Sequence, residues 1–485
     1  MMGVRAPAQD QLFAYGVNLE KRVPPDNPLR KIAAVLDLNF ARAVVAGSYG
    51  KRGHVGEDPV VILKLMLLLF LDDIKSEREL MKQVPLRLDY LWFLGLSLED
   101  EAPHHSVLSK ARARWGEACF EQLFIQSVRQ CVDAGLVEGS KLHADSSLVD
   151  ADASRDSVMK GPPELIARLR AAYAAQAAKL EQSSTPGGYE AVNDRRLSTT
   201  DPDAAVVRKG VADVSRPRYH HHRAVDDAQG VIVAVQTTPG SVTEASQLQR
   251  LVEQAQSNMQ SEVQTVVADR KYGTAENYVA LAQQGIHTHM GDLTARQVLV
   301  RREGIYPEEK FTYDASSNTY RCPAGQLMRP RRLHPVKRTW EYATARDVCA
   351  QCALRAQCTR SHTGRTLHRH EHEALLRGAR AQAHSRAARR DRRRRMHLME
   401  KSFADAANRH GFKRSRYRRL WRQHIQDWLI AAAQNLRILI AARAPRPVAS
   451  AAQSAKIIAF LPIVPALKRL MAWLRTLPDS TGLRC

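Results

Sequence analysis

A stretch dense in arginine, residues 384–434, constrains the fold of this chain more than any other. Its arginines are followed by Met396, Glu400, Phe403 and Ala407, spaced four, three and four residues apart. This spacing predicts a helix on which these side chains share an otherwise apolar face, with Glu400 directed toward the core. A carboxylate there loses hydration, which costs free energy unless a cation receives it. Two interpretations stay open: an ion pair with a neighbouring arginine, or a metal-binding carboxylate beside a DNA-binding surface.

The charge of the whole chain favours a polyanionic partner. Among 485 residues, Lys and Arg outnumber Asp and Glu by 73 to 50, which gives a net charge of +23. Because the arginines cluster, nucleic acid is a better candidate than a membrane. The most apolar run, residues 60–71, is too short to span a bilayer and contains Lys64, so it predicts a buried helix. The first residues lack the apolar part of a signal peptide, and the seven cysteines are unevenly spread, so we expect a cytoplasmic, nucleoid-associated protein.

Residues 1–130 are expected to form an N-terminal helical domain. The Asp58-Pro59 pair and Ser76 are typical helix starts, and a later helix carries Lys110, Arg112 and Arg114. Short helices that end in a basic one favour a DNA-binding module of the helix-turn-helix kind. The alternative is an ordinary helical cap on the core.

Two short strands place acids where α/β folds bind ligands. Residues 141–149 alternate as a strand that places His143, Asp145 and Ser147 on one face, and Asp150 and Asp152 are expected in the turn after it. Residues 263–269 form a β-branched strand that ends in Asp269. Since ligands bind at the carboxyl ends of strands in such sheets, Asp269 is a strong site candidate.

The segments between these strands are expected to be a helical arm, a loop and a hairpin. The arm covers residues 163–182, and polar sequence up to residue 217 predicts loop or disorder. A β-hairpin is predicted from residues 219–225 and 231–238, and a helix from 243 to about 256.

Residues 295–375 form a cysteine-containing insertion. Cys322 lies at a Pro-Gly knuckle after a predicted hairpin of residues 310–321, and Cys349, Cys352 and Cys358 follow in a C-x2-C-x5-C pattern. The pattern is similar to a zinc ribbon, in which His362 could replace one ligand. The alternative is a set of reduced thiols without metal.

The sequence after Glu400 mixes cations with aromatic side chains, as surfaces that follow a phosphate backbone do. The alternative is a solvated helix end. The residues predicted to bind DNA from these two basic stretches are Arg389, Arg390, Arg393, Arg394, Arg395, Lys413, Arg414, Arg416 and Arg418. The tail, residues 441–485, contains an amphipathic piece near residues 456–475 and receives no function.

The order of several motifs resembles the DDE transposases of bacterial insertion sequences, in the branch whose catalytic core carries a cysteine-containing insertion. The resemblance runs from about residue 30 to 440. Its motifs are His143-Ala144-Asp145-Ser146-Ser147, Thr200-Asp201-Pro202-Asp203-Ala204, Tyr219-His220-His221-His222-Arg223, Val267-Ala268-Asp269 with Tyr272-Gly273, Glu400 before Phe403-Ala404-Asp405, and Ala433-Gln434-Asn435-Leu436.

The resemblance implies an α/β protein with a ribonuclease-H-like mixed sheet flanked by helices. The catalytic domain would comprise residues 131–440, interrupted by the small zinc-ribbon-like insertion. Its catalytic triad falls on Asp145, Asp269 and Glu400, and a histidine near the site falls on His222, for which a core or hydrogen-bonding role is an alternative. One departure is Ala407, where the family often has a lysine that could grip a terminal phosphate.

The implied activity is metal-dependent cleavage of DNA at insertion-sequence ends, followed by strand transfer into target DNA. Three carboxylates and a phosphate substrate favour Mg²⁺ or Mn²⁺. Asp145 would be shared by two ions, with Asp269 and Glu400 each holding one. Partners would be terminal inverted repeats and target DNA, bound by a dimer or larger assembly. The rival hypotheses are a nuclease without strand transfer and a catalytically silent or domesticated DNA-binding protein.

Overall fold

The computed structural model describes residues 17–50, 56–180, 195–291 and 304–443. The described residues through Leu439 form one compact unit. Within the described ranges, none of the helices combines the length and the apolar character needed to cross a bilayer. The tail with its predicted amphipathic piece lies outside these ranges, as do the end of the predicted helical arm and the first part of the predicted insertion.

Residues 17–133 are helical in almost every described segment. The helices are α1 (Leu19–Arg22), α2 (Pro28–Ala33), α3 (Phe40–Val45), α4 (Pro59–Leu71), α5 (Glu77–Gln83), α6 (Leu88–Leu94), α7 (Ser106–Trp115) and α8 (Ala118–Asp133). The predicted starts are confirmed: the Asp58 side chain accepts a hydrogen bond from the Val60 N–H, and Ser76 accepts one from the Glu79 N–H. The apolar run forms α4, which is buried because α3, α5, α6 and α7 pack around it.

A six-stranded mixed sheet follows these helices. Its strands are β1 (Lys141–Asp150), β4 (Ala205–Val207), β5 (Arg216–Asp226), β6 (Ile232–Pro239), β7 (Thr265–Ala268) and β8 (His287–Thr288). A separate two-stranded sheet consists of β2 (Val158–Lys160) and β3 (Arg196–Ser198). The predicted hairpin is confirmed as β5 and β6, and β5 starts three residues earlier than expected.

The sheet is antiparallel on one side and parallel on the other. β6 and β4 both pair with β5, β5 pairs antiparallel with β1, β1 pairs parallel with β7, and β7 pairs parallel with β8. Consecutive strand residues face opposite sides of a sheet. Asp145 contacts one helix and Ser146 contacts the segment before another, so helices cover both faces.

The helices that accompany the sheet are α9 (Pro163–Leu180), α10 (Leu248–Met259), α11 (Ala275–Gln283), α14 (Glu373–Ala383), α15 (Arg386–His410) and α16 (Leu420–Arg443). α10 packs on β6, β5 and β1, and α15 packs on β1 and β7 from the other face. The arginine-rich stretch therefore does form a helix, α15, and it lies directly against β1, which contains Asp145, and β7, which Asp269 follows.

The prediction of loop up to residue 217 holds for residues 199–204 and 208–215 and is wrong for residues 196–198, 205–207 and 216–217. Strands β3 and β4 lie there, and Leu197 and Val206 are buried. These strands could not be recognised from the sequence because each pairs over only three residues, too few to show an alternating pattern. Residues 183–194 of the predicted loop lie outside the described ranges.

The insertion contains its own five-stranded antiparallel sheet. Its strands are β9 (Thr312–Asp314), β10 (Thr319–Arg321), β11 (Leu327–His334), β12 (Thr339–Ala343) and β13 (Thr366–His370), with the short helices α12 (Arg346–Ala350) and α13 (Arg355–Cys358). The predicted hairpin is confirmed as β9 and β10. Aromatic and aliphatic side chains, among them Phe311, Tyr320 and Tyr342, form a small core of their own.

Candidate active site

Asp145 and Asp269 are neighbours just past the point where the parallel pairing of β1 with β7 ends, Asp145 within β1 and Asp269 directly after β7. Ala144 of β1 pairs with Ala268 of β7, and the two aspartates are the next residues in each chain segment. Paired residues of adjacent strands face the same side. The aspartates therefore lie side by side at one edge of the sheet, although 124 residues separate them in the sequence (269 − 145).

Asp145 forms an ion pair with one arginine and lies across from a second in the sheet. Arg395 of α15 places Nη1 2.7 Å from Asp145 Oδ2, and Arg223 lies opposite Asp145 in the β1–β5 register. Burial raises the pKa of the Asp145 carboxyl, Arg395 opposes that rise, and the nearby Asp269 adds to it. A cation of the chain itself, the Arg395 guanidinium, is therefore already bound to Asp145.

Arg223 itself is fully buried and fixes α15 to the sheet. Its Nη1 donates to Ser402 Oγ at 2.8 Å and to Gln434 Oε1 at 3.1 Å, and its guanidinium carbon lies 4.4 Å from the centre of the Phe403 ring. Burial lowers the pKa of Arg223 to about 10. Arg223 of β5 therefore joins α15, through Ser402, and α16, through Gln434, to the sheet.

Glu400 is exposed, so the prediction that it points into the core is wrong. The buried face of α15 consists of Ala388, Asp391, Met399, Ser402, Ala406 and His410. Met396, one of the apolar residues that suggested the other face, is 52% exposed. Among the described residues no ion pair involves Glu400, which excludes the proposed pairing with a neighbouring arginine. Glu400 follows Arg395 by five residues, about 7.5 Å along the helix axis.

The opposite face of β1 borders a polar groove of about 840 Å³. Ser146 Oγ donates to Glu244 Oε2, His220 Nε2 lies 3.0 Å from Ser146 Oγ, and Lys271 Nζ lies 3.0 Å from Glu244 Oε1. Arg208 and Lys209 also line the groove. Glu244 raises the pKa of Lys271 by its hydrogen bond and its charge, and the more distant Asp269 adds to that rise.

Sequence reasoning missed these groove residues. The position of Lys271, two residues after Asp269, is a signal that could have found it. His220 lies in the Tyr219–Arg223 motif, but nothing in that motif indicated that it meets Ser146, and Glu244 carried no signal.

The predicted DNA-binding residues divide into three groups. Arg389, Arg390, Arg393, Lys413, Arg414 and Arg418 are exposed. Arg394 is also exposed, and it forms an ion pair of 2.5 Å with Asp227, whereas Arg395 turns inward to Asp145. Lys413 reaches Ser147 with its Nζ at 2.8 Å, next to the acidic edge.

Arg416 does not belong to the exposed basic surface, so this assignment is corrected. Its Nη1 donates to the backbone oxygens of Leu69 and Ile74 at 2.9 and 2.6 Å, and its Nη2 lies 2.7 Å from Asp73 Oδ1. The guanidinium therefore closes the end of α4. Arg112, predicted on a basic recognition helix, is likewise buried, paired with Glu77 and stacked on Tyr417.

The remaining polar candidates have structural partners. Asp150 is the last residue of β1 rather than a turn residue, and it pairs with Arg216 and Arg218 at 3.0 and 2.6 Å. Asp152 accepts from Arg418 Nε at 3.1 Å. His222 is buried, which holds its pKa well below the usual value, and its Nε2 lies 2.9 Å from Thr238 Oγ1. The hydrogen-bonding alternative for His222 is thus supported by its contacts.

The four cysteines of the insertion surround one cavity. Cys322, Cys349, Cys352 and Cys358 line it, and Cys322 and Cys358 also pack against the core of the insertion. All four are free thiols. Burial raises the pKa of the Cys358 thiol, and the other three sulfurs contribute to that rise. No three of these four sulfur atoms all lie within 4.8 Å of one another. They are therefore farther apart than the ligands of a bound zinc ion.

Two family models match the chain. One, described as "Transposase domain (DUF772)", matches residues 17–114, and the other, described as "Transposase DDE domain", matches residues 321–440. The second match includes Glu400 and the insertion cysteines, while Asp145 and Asp269 lie between the two matches. No curated protein matches the chain.

Solved structures show only distant likenesses. A piggyBac transposase synaptic complex with hairpin DNA is 8% identical, covers 85% of this chain and 72% of its own, and has a TM-score of 0.33. A Mos1 transposase paired-end complex with the left transposon end is 12% identical, covers 50% of this chain and 60% of its own, and has a TM-score of 0.16. TM-scores this low do not establish a common fold.

Proposed function

We propose that this chain is a DDE-type transposase and that Asp145, Asp269 and Glu400 form its catalytic triad. The site would cleave DNA at the ends of an insertion sequence and join the freed 3′ end to target DNA. The observation that carries this assignment is the pairing of Ala144 with Ala268, which sets the two aspartates next to each other. α15 packs on both of these strands and bears Glu400.

The strand order supports a ribonuclease-H-like core. Taken along the sheet it reads β6-β5-β1-β7-β8, with an antiparallel meander of three strands joined to two parallel strands. This is the mixed sheet flanked by helices that the sequence resemblance implies.

The chemistry of these residues fits divalent metal ions, with Mg²⁺ or Mn²⁺ preferred. Asp145, Asp269 and Glu400 offer only oxygen ligands, which hard dications favour. The guanidinium of Arg395 shows that a cation is already stabilised at Asp145. When bound, such ions would lower the pKa of a water nucleophile and stabilise the leaving oxygen. Arg395 binds Asp145 Oδ2, so an ion at this carboxylate would compete with that ion pair or bind Oδ1 beside it.

The surrounding residues would orient the DNA. The exposed cations of α15 and of the segment after it, with Lys413 nearest to the acidic edge, would bind phosphates without reading sequence. Lys271, Arg208 and Lys209 would hold a strand in the groove on the other face of β1. The N-terminal helices would read bases through residues other than Arg112, whose guanidinium is buried.

The cysteine cluster would bind structural zinc. Its support is the donor set, since four thiols around one cavity beside a small core are the ligands of structural zinc sites. The sulfurs would have to move closer together around the ion. The insertion core is small, so a metal would supply stability that its few apolar side chains do not.

The test is cleavage of a labelled terminal repeat by Asp269→Asn, compared with binding of the same DNA. We expect Asp269→Asn to reduce cleavage by at least about 1,000-fold, because an amide cannot replace a carboxylate that neutralises a metal ion. DNA affinity should stay within about threefold, since affinity comes mainly from the cationic surface. Glu400→Gln should behave in the same way.

Asp156→Asn is the matched control, because Asp156 is exposed in the short turn after β1 and takes no part in the site. It should cut like the wild type. Cleavage by Asp269→Asn at the wild-type rate would overturn the assignment. Cut ends without joined product would favour a nuclease without strand transfer, and DNA binding without any cleavage by the wild type would favour a catalytically silent protein.

A further inference from the structure

A second cluster of potential metal ligands lies on the insertion sheet, away from the cysteines. His334 ends β11, Glu341 lies in β12 and His368 lies in β13, directly across from Glu341. One ligand atom of each residue lies within 4.8 Å of those of the other two. His334 Nε2 is 3.5 Å from Glu341 Oε2, and the two imidazole rings are 5.5 Å apart.

We propose that His334, Glu341 and His368 bind a divalent transition metal ion, zinc in preference to a harder dication. Two imidazoles and one carboxylate are a ligand set that suits zinc, whereas magnesium takes oxygen ligands. Zinc binds these groups at about 2.0–2.2 Å, which needs ligand atoms roughly 3.3–3.5 Å apart. Small side-chain rotations would bring the three atoms from their present spacing to that distance.

The site is accessible to an ion and leaves a position for water. The His334 and Glu341 side chains are 31% and 23% exposed, and His368 is more exposed than either. Within the described part of the chain, neither imidazole nitrogen of His368 has a hydrogen-bond partner. A bound ion would therefore give the His368 imidazole a partner that the described protein groups do not provide.

The cluster is distinct from the cysteine cavity. Glu341 and Tyr342 are consecutive residues of β12, so they face opposite sides of the sheet. Tyr342 belongs to the insertion core against which Cys322 and Cys358 pack. The two sets of ligands thus occupy opposite faces of one small sheet, and a metal in one set does not need the other.

A metal here would join three strands next to an irregularity in the pairing of β11 with β12. The register between β11 and β12 shifts between Pro330 and Arg332, just before His334. An extra residue in one strand disrupts the ladder locally and increases its twist. A bond from His334 through the ion to Glu341 and His368 would fix the end of β11 beyond this irregularity. Arg329, Arg331 and Arg332, all exposed on β11, would be held in position with it.

The test counts zinc in the full-length protein, purified from zinc-supplemented cells and desalted. The variant with both Glu341→Gln and His368→Ala should hold one zinc fewer per chain than the wild type. The matched control carries Glu371→Gln and His372→Ala, which change the same residue types a few positions away at a Glu–His pair outside the cluster. It should keep the wild-type count.

Two further measurements separate the site from a folding defect and from the cysteines. Glu341→Gln alone should lower zinc affinity by about 100-fold or more in a competition titration, because loss of even an indirect partner costs 10–100-fold. Cobalt bound at this site should give visible bands without the intense thiolate charge-transfer absorption of a cysteine site. Equal zinc counts in the wild type and the double variant would overturn the proposal. The cluster would then be only a contact between His334 and Glu341 with His368 beside it.

Discussion

At the scale of single residues, Asp201 shows how a buried acid can be structural. Both of its oxygens accept from the Tyr219 hydroxyl at 2.8 Å, and Oδ1 also accepts from the Arg419 N–H at 3.1 Å. Asp203, two residues on, accepts from the Leu420 N–H at 3.0 Å. The acids thus satisfy N–H groups at the start of α16, where negative charge is favourable. The Thr200–Ala204 motif thereby ties a loop to that helix.

Burial raises the pKa of Asp201 to about 7 from a usual value of 3.8, which makes the stability of the fold depend on pH. Folding favours the protonated carboxyl, so this contribution is complete below about pH 4 and is lost as the pH rises through 7. We expect Asp201→Asn to be more stable than the wild type by up to a few kcal/mol at pH 8, and by much less at pH 4. Chemical denaturation at both pH values measures the difference. A difference that does not change with pH would contradict this account.

At the scale of elements, the end of α15 determines how this helix meets the N-terminal helices. Gly411 ends the helix with φ +63°, a conformation that side-chain-bearing residues rarely adopt. A Cβ at this position would lie 2.5 Å from Asp73 Oδ1 and 2.9 Å from Arg416 Nη2. The glycine therefore leaves room for the ion pair that closes the end of α4.

Gly411→Ala should lower the free energy of unfolding by about 2 kcal/mol, because the strained conformation alone costs about 1 kcal/mol and the contact with Asp73 adds to it. Thermal or denaturant unfolding measures the effect. Gly378→Ala is the control: Gly378 lies within α14, its Cβ would meet nothing within 4 Å, and the change should stabilise the helix by about 0.5–1 kcal/mol. Equal effects of the two changes would show that the close approach at Gly411 does not matter.

The elements that sequence predicted well are those with a simple period. The alternation in β1 identified the strand that contains Asp145, and the β-branched run identified β7, which Asp269 follows, because alternation and β-branched residues favour extended backbone. The orientation of α15 could not be predicted in this way. Its buried face includes Asp391, Ser402 and His410, which are polar but have partners in other elements. Hydropathy cannot reveal partners that are distant in sequence.

The inward position of Arg416 was hidden for the same reason. It lies in a run of cations and aromatics that is typical of a nucleic-acid surface, and its acceptors are backbone oxygens near the end of α4. Every residue has a backbone oxygen, so the sequence does not indicate which of them accepts a hydrogen bond from an arginine. The candidate triad was available only because the sequence resembles a known family, since neither periodicity nor composition links Glu400 to the two aspartates.

At the scale of the whole molecule, the net charge of +23 should make DNA binding strongly dependent on salt. Each phosphate contact releases counterions, so a protein with 6–10 such contacts loses about 10³–10⁵ in affinity between 50 and 200 mM salt. We expect a loss in this range for a terminal repeat, measured by fluorescence anisotropy. Arg393→Ala should weaken binding to all sequences alike and make the salt dependence less steep, because Arg393 is exposed on α15. A flat salt response would contradict a phosphate-binding surface.

The parallel pairing of β1 with β7 has a consequence for the descent of this protein. The two aspartates are adjacent because each directly follows one alanine of the Ala144–Ala268 pair. Substitutions within either strand can therefore be tolerated, whereas insertions or deletions cannot. One inserted amino acid ahead of Ala268 would rotate Asp269 to the far side of the sheet. Copies of the gene that carry such an insertion would encode a folded protein that still binds DNA but lacks the proposed cleavage activity.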